Sequence, residues 1–413
     1  VATKANLVSV PTLVESPFII ATIGGYTFGS YAAKGSSNAY GAAVKVTYPN
    51  FMDSIQIVKV NGTVNTYTLN FSYQVRAGED PNLLDKIFST ATNDRQIILQ
   101  YGDWNSPTYI YKEEKCIITN ITSNLDMNNS CIKYTLNCTS DAIGLASLSY
   151  NFPAREAKPS DVLKEMLNSP KYGLKQVFTG MRTQEITSLI ASNDKKVQLL
   201  AQNGVTPLAY MNYLVSSMVS YNNTTTTPIQ SSGYYLTIHD DWSNNYGGTY
   251  FKVTEVCANA STKATMGTYE LDVNYPDDNF VTQFSLNNDQ SWAILYDYSQ
   301  KIGQEEYTYY IDDEGRVITE YVPSLVRSDN NSFSNAKSSW WTKMTQFPIQ
   351  ATLTIKGLTR PSILMTYVKL NVWFAGGQKH ISSGLYIITK QVDSISAAGY
   401  KTTLTLLRVG GDI

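Results

Sequence analysis

A mainly β fold with α insertions (α+β), with one β module present twice, is what this sequence predicts, and three observations carry it. Residues 347–408 read as strand, turn, strand, with almost no catalytic side chains. That closing segment has an echo upstream. Cys116-Ile117-Ile118-Thr119 and Tyr386-Ile387-Ile388-Thr389 open two segments, and Thr135-Leu136 and Thr405-Leu406 close them at the same offset. The composition holds 30 Tyr and much Asn, Ser and Thr, with charged residues at only 16%. That mix favours strands and weakly charged surfaces suited to extensive protein–protein contact. A β module used twice in one chain points to an assembly component rather than an enzyme.

The elements follow in order. Residues 17–48 hold short strands around a Gly/Ser/Ala-rich stretch, 32–43, which reads as an extended loop or arm. Residues 55–60 alternate with period two, and Asn61-Gly62 follows as a hairpin signal. The return strand, 64–75, places Tyr67, Leu69, Phe71 and Tyr73 on one face. Asp80 and Pro81 then start a helix with Leu83, Leu84, Ile87 and Phe88 on one side, ending near Thr92. Strands at 96–101, 108–112, 116–121 and 131–138 complete a helix packed across a twisted sheet or small barrel.

Residues 153–219 change character. A helix over 162–167 has Ser160 as its cap, 196–202 is apolar at helical spacing, and Thr206-Pro207 caps a third helix over 208–219. A polar linker, 222–228, leads to strands at 233–239, 250–257, 268–273, 280–286, 292–298 and 307–311. Asp312-Asp313-Glu314-Gly315 is a turn to a strand over 316–321, and 335–346 is a short helix carrying Trp340 and Trp341.

Composition also excludes. A net charge of −2 argues against a dominant electrostatic grip on nucleic acid. The four cysteines (Cys116, Cys131, Cys138, Cys257) form no CxxC pair, lie far from His239 and His380, and read as buried thiols that do not gather in one cluster. No apolar run is long enough for a membrane helix, 18–23 lacks a basic leader, and the Asn-x-Ser/Thr sequons match chance for this composition.

Candidate chemistry is sparse. His239-Asp240-Asp241 could act as a base or metal ligand, but its place at a strand end before Trp242-Ser243-Asn244-Asn245 reads as a polar loop. Asp277-Asp278 and Asp312-Asp313-Glu314 could pose as paired carboxylates, yet they carry ordinary turn composition. There is no Gly-x-Ser-x-Gly, and no Lys-Ser/Thr follows Gly24-Gly25. His380-Ile381-Ser382-Ser383 reads as a tight β connection, and Trp340-Trp341 as core packing or a partner anchor. No catalytic, metal or cofactor-binding residue is assigned, and no cofactor is expected.

The closing order resembles a known family. Residues 347–357 end a strand in Gly357, 365–374 form a second strand, and Ser383-Gly384-Leu385-Tyr386-Ile387-Ile388-Thr389 pairs with a return over 402–408 after Ala397-Ala398-Gly399-Tyr400. This is similar to the C-terminal barrel of phage tail baseplate hub proteins. The stretch 67–140 resembles the N-terminal barrel of that family, and 161–173, running into Leu174, resembles the start of its middle region. The central β block has no counterpart there.

The resemblance implies two tail-tube-like β-barrels plus inserted helical and β domains. The division would be 1–145 first barrel with N-terminal arm, 146–232 helical insertion, 233–345 β-rich middle domain, and 346–413 the C-terminal part of the second barrel. It implies a homotrimer whose six similar modules form a ring, matching a six-fold tail tube to a three-fold central spike. Expected partners are the tail tube protein, the spike, the tape measure and other baseplate proteins, with DNA only in transit, no membrane insertion, and a place in the virion tail baseplate. A secreted β-rich surface protein binding or cleaving carbohydrate, or a hexameric distal tail protein, are the alternatives.

Overall fold

The computed structural model describes residues 17–30, 48–49, 51–90, 96–103, 112–126, 128–172, 194, 196–218, 233–241, 248–256, 268–274, 281–288, 307–311, 317–321, 349–357, 363–374 and 376–410. The expectations placed on the 32–43 arm, the 222–228 linker, Cys257, Asp277-Asp278, 292–298, the Asp312 turn and the 335–346 helix with Trp340-Trp341 lie outside them.

Strands β1 (Pro17–Ile23), β2 (Tyr26–Ser30), β3 (Tyr48–Pro49), β4 (Met52–Val60) and β5 (Thr66–Gln74) precede helix α1 (Leu83–Thr90). Strands β6 (Gln96–Asp103), β7 (Lys112–Asp126) and β8 (Cys131–Ser140) follow. They pair in the order β4-β5-β8-β7-β6-β1-β2-β3. Phe28 of β2 lies edge-on to Phe71 of β5 with ring centroids 5.4 Å apart. Those strands are far apart in the pairing order, so the sheet has curled back on itself into a barrel. Tyr67, Leu69, Phe71 and Tyr73 all face its core, as their alternation predicts. Helix α1 begins where Asn82 N–H donates to Asp80 Oδ1 at 2.9 Å, and it buries Leu84, Ile87 and Phe88 in the same core.

Next comes an inserted unit: β9 (Tyr150–Phe152), β10 (Arg155–Ala157), α2 (Pro159–Asn168), β11 (Val197–Leu199), β12 (Gln202–Val205), α3 (Pro207–Ser217), β13 (Gly233–Asp241) and β14 (Gly248–Val256). Its core stacks Phe152 on Tyr210 at 3.9 Å. The cap at Thr206 forms, its hydroxyl accepting from Ala209 N–H at 3.2 Å. Two expectations are corrected. Ser160 does not cap α2; Pro159 takes the first turn, while Ser160 is buried and both its N–H and its hydroxyl donate to Asp194 at 2.7 and 2.6 Å. Residues 196–202 are not helical. Val197 and Leu199 are buried on one face of a strand paired with β10, because an apolar run this short fits either period and a waiting strand edge decided it.

The chain ends with β15 (Thr268–Val273), β16 (Val281–Asn288), the β17 (Tyr307–Ile311)·β18 (Val317–Tyr321) hairpin, β19 (Ile349–Lys356), β20 (Tyr367–Val372), β21 (Gly384–Ser396) and β22 (Gly399–Gly410). Pairings run β16-β19-β22-β21-β20-β15, and the outer members β15 and β16 approach each other, closing a second barrel around Leu353, Ile355, Leu370, Ile388, Leu404 and Leu406. The expected division at residue 345 falls between β16 and β19, which are paired.

Candidate functional site: the seam between the barrels

Five strands of the second barrel repeat five of the first, while the next strand differs, β1 lying antiparallel to β6 and β15 parallel to β20. The order β4-β5-β8-β7-β6 matches β16-β19-β22-β21-β20, with antiparallel pairing throughout. Bulges fix the correspondence, since each inserts one residue at a defined place in a ladder. In β7 the ladder shifts between Ile118 and Asn120, and in β21 between Ile388 and Lys390. The extra residue is a threonine in both. Thr119 donates to the carbonyl of Asn137 at 2.8 Å and Thr389 to that of Thr405 at 3.2 Å. Counting from these threonines through the two intervening ladders makes Ile57 equivalent to Leu286. A second bulge then coincides: β4 shifts between Met52 and Ser54, β16 between Val281 and Gln283. Met52 faces Phe71 where Val281 faces Ile355.

The echo seen in sequence is thus right at its opening and two residues out at its close. Ile118 pairs with Cys138 and Ile388 with Leu406, whereas Leu136 faces Ile121. The first hairpin has a longer connection, 127–130 against 397–398. A shift of two keeps every side chain on its face, so it left the pattern legible but misaligned. The counterparts also differ where α1 sits. The link between β19 and β20 covers 357–366, and its Ile363 and Leu364 are buried in the second core.

The two barrels join through β21. Its first half pairs with β20 of its own barrel, and Lys390–Ser396 pairs with Val60–Ser54 of β4 in the first. Ile395 and Tyr400 are buried in the first barrel's core, Tyr400 edge-on to Tyr101. Gly357 is needed beneath that ring: a Cβ there would stand 2.2 Å from Tyr400.

A buried polar network ties the inserted unit to this seam. Lys59 Nζ donates to Glu114 Oε1 at 2.5 Å, and both side chains are wholly buried. Tyr67 and Tyr101 donate to Glu114 at 2.7 and 2.5 Å. Asp240 of β13 accepts from Asn65, Ser140 and Thr249 at 2.5, 2.9 and 2.6 Å, and from Tyr67 at 3.2 Å. Across the seam, buried Asp393 accepts from Gln391 at 2.8 Å and Thr402 at 2.6 Å. Burial works to lower the Lys59 pKa, but the carboxylates of Glu114, Asp393 and Asp240 outweigh it and hold the ammonium charged. Burial pushes the Glu114 carboxyl up, with Lys59 and Tyr101 pulling it back.

His239-Asp240-Asp241 is therefore no polar loop. All three lie on β13, where Tyr234, Leu236 and Ile238 are buried and Asp240 continues their period. His239 is buried beside the Thr237 hydroxyl at 2.9 Å. Burial, with the charges of Lys252 and Lys59, lowers its pKa to about 3. A neutral histidine sealed from solvent, beside a carboxylate whose oxygens are occupied by donors, holds structure and offers no access to substrate. Cys116 and Cys138, read as unclustered, in fact lie side by side, because they sit diagonally across the β7·β8 ladder. Burial, reinforced by Cys138, raises the Cys116 thiol well above its usual range. The 376–383 connection is tight, as expected, with His380 accepting from the Ser382 N–H at 3.3 Å. Among the described residues no group of three His, Cys, Asp or Glu side chains is placed to hold a metal ion.

No family model and no curated protein matches the chain. Solved structures do resemble it. A tail protein from Neisseria meningitidis MC58 is 10% identical, with 95% of this chain and 97% of that one covered at a TM-score of 0.49. The 43 kDa tail protein of prophage MuSo2 from Shewanella oneidensis is 11% identical, with the same coverage and TM-score. An E. coli component of the type VI secretion system, described as structurally similar to T4 bacteriophage tail proteins, is 10% identical, with 87% and 75% covered at 0.42. At such identities and scores the likeness settles no role.

Proposed function

We propose that this chain is a structural protein of a phage-type tail: a baseplate hub in which three copies close a ring of six barrels. The single observation behind this reading is the internal duplication, two barrels alike in strand order and in both bulges, joined edge to edge through β21 and β4. A trimer of such a chain offers one face to a six-fold tail tube and another to a three-fold central spike. The ring would leave a channel for DNA in transit, consistent with a net charge of −2, which gives no strong grip on phosphate. In this reading the first barrel is followed by the inserted unit, and the second begins at β15. The inserted unit, locked to the seam by Asp240, is the platform for tape-measure or other baseplate contacts. The place of action is the virion tail baseplate, and the role is not enzymatic. No described helix is long and apolar enough to cross a membrane.

Sedimentation equilibrium, with and without a spike protein, tests the reading. The expected species is three times the 45.9 kDa chain, and averaged electron micrographs should show six lobes around a hole. A particle of six chains, or one that remains single with the spike present, contradicts it.

A further inference from the structure

The seam within the chain has only one half of a repeating interface on each side. Strand β21 leaves its barrel after the Thr389 bulge and gives its second half to β4. Its counterpart β7 continues past the equivalent bulge at Thr119, where among the described residues Asn120–Asp126 pairs only with β8 and its other edge is open. Among the described residues β16, the counterpart of β4, likewise has a ladder only with β19, and it approaches β15 as β4 approaches β2. The side chains along both open strands are out of place for a free edge. Leu125 is 60% exposed, and Ile121 and Leu286 are each 39% exposed. They occupy the positions that Ile395, Gln391 and Ile57 fill in the internal seam, where all three are buried. A long edge with an apolar face is a template for another strand.

We propose that the open edge of β7 pairs with β16 of a second copy of this chain, antiparallel and in the register of the internal seam. Leu125 then faces Phe284, as Ile395 faces Ile55, and Ser123 faces Leu286, as Asp393 faces Ile57. The inference rests on the ring reading and names the strands and the register that close the ring. Both copies of the interface bury one apolar pair at the same level of the ladder. The intermolecular one puts Leu286 opposite small Ser123 where the internal one puts Ile57 opposite Asp393. The occupant is a second copy because the partner each edge lacks is the strand that the other edge supplies.

The test is a pair of cysteines, Ser123→Cys and Leu286→Cys, in a chain with Cys131→Ser and Cys257→Ser. Residues directly opposite in an antiparallel ladder lie about 4.5–5.5 Å apart at Cα, within disulfide reach. Mild oxidation should give a covalent trimer, reversed by reductant. Neither single cysteine should do so, nor should Ser123→Cys with Ser285→Cys, whose side chains point to opposite faces. Leu125→Lys, at an exposed position, should leave the melting curve unchanged and weaken self-association at least tenfold. A trimer that does not link at 123–286, or whose association ignores Leu125→Lys, overturns the register and leaves the ring reading standing. A chain that stays single at every concentration, with the spike present and under oxidation, overturns both.

Discussion

Lys59 brings one positive charge into a buried site that also holds Glu114, Asp240 and Asp393. Lys59→Met removes the cation and leaves Glu114 with only its two tyrosine donors, an uncompensated buried charge costing about 3–5 kcal/mol. Adding Glu114→Gln removes that charge in turn, so the double variant should melt above Lys59→Met alone; a calorimetric double-mutant cycle measures this. His239 gives a pH dependence. Its pKa is about 3 in the fold against about 6.5 when unfolded. Below pH 6.5 the unfolded chain therefore binds a proton that the fold refuses, and stability falls as pH drops from 6.5 towards 3. His239→Gln should flatten that acid limb in urea titrations at a series of pH values, leaving stability above pH 7 little changed. The network was legible in principle. Lys59 follows Ile55 and Ile57, Glu114 precedes Cys116 and Ile118, and Asp240 follows Leu236 and Ile238, each continuing an apolar face. A charge in phase with a core face announces burial with a partner. The loop-forming composition after Asp241 outweighs that phase locally, so His239-Asp240-Asp241 reads from sequence as a polar loop.

At the scale of elements the bulge threonines set the design. Thr389 lets one strand serve two barrels, since its bulge changes the ladder where β21 passes from β20 to β4. Inserting an alanine after Lys390 would shift 391–396 by one place and turn Gln391, Asp393 and Ile395 from the core to the outer face. The variant should lose cooperative unfolding by near-ultraviolet circular dichroism, whereas Thr389→Ala, losing only the hydroxyl bond to Thr405, should fall by about 1 kcal/mol. Strands were read well where alternation was long: β4, β5, β19 and β20 lie close to their expected bounds. The Asn61-Gly62 hairpin was harder. The strand resumes only at Thr66, because the turn docks elsewhere: Gly62 N–H donates to the Leu236 carbonyl at 2.7 Å, and Asn212 donates to the Gly62 carbonyl at 2.8 Å. Tertiary contacts of that kind leave no local mark in sequence.

For the whole molecule, duplication is visible through three identities at its opening, Ile117-Ile118-Thr119 against Ile387-Ile388-Thr389, and through almost nothing else. The paired positions Tyr67 and Ala351 share burial, and Ile57 and Leu286 share only a place in the ladder, so ladders and bulges rather than identity reveal them. Likewise β16 sits far from β19 in sequence, with residues 289–348 between them, and nothing local to 281–288 says which sheet it joins. The two edges open among the described residues follow from the same arithmetic: two barrels in one chain make one internal seam and leave one strand of each kind over.

That internal seam has a consequence for how any ring is made and lost. Covalent tethering keeps its two strands at a high effective concentration, so dilution cannot part them. Every alternate joint in a closed ring is then unimolecular, and the remainder respond to mass action. Barrels would be gained or shed only in twos, and selection on subunit exchange would act on β7 and β16 while leaving β4 and β21 free to trade apolar contacts for the charges they now hold.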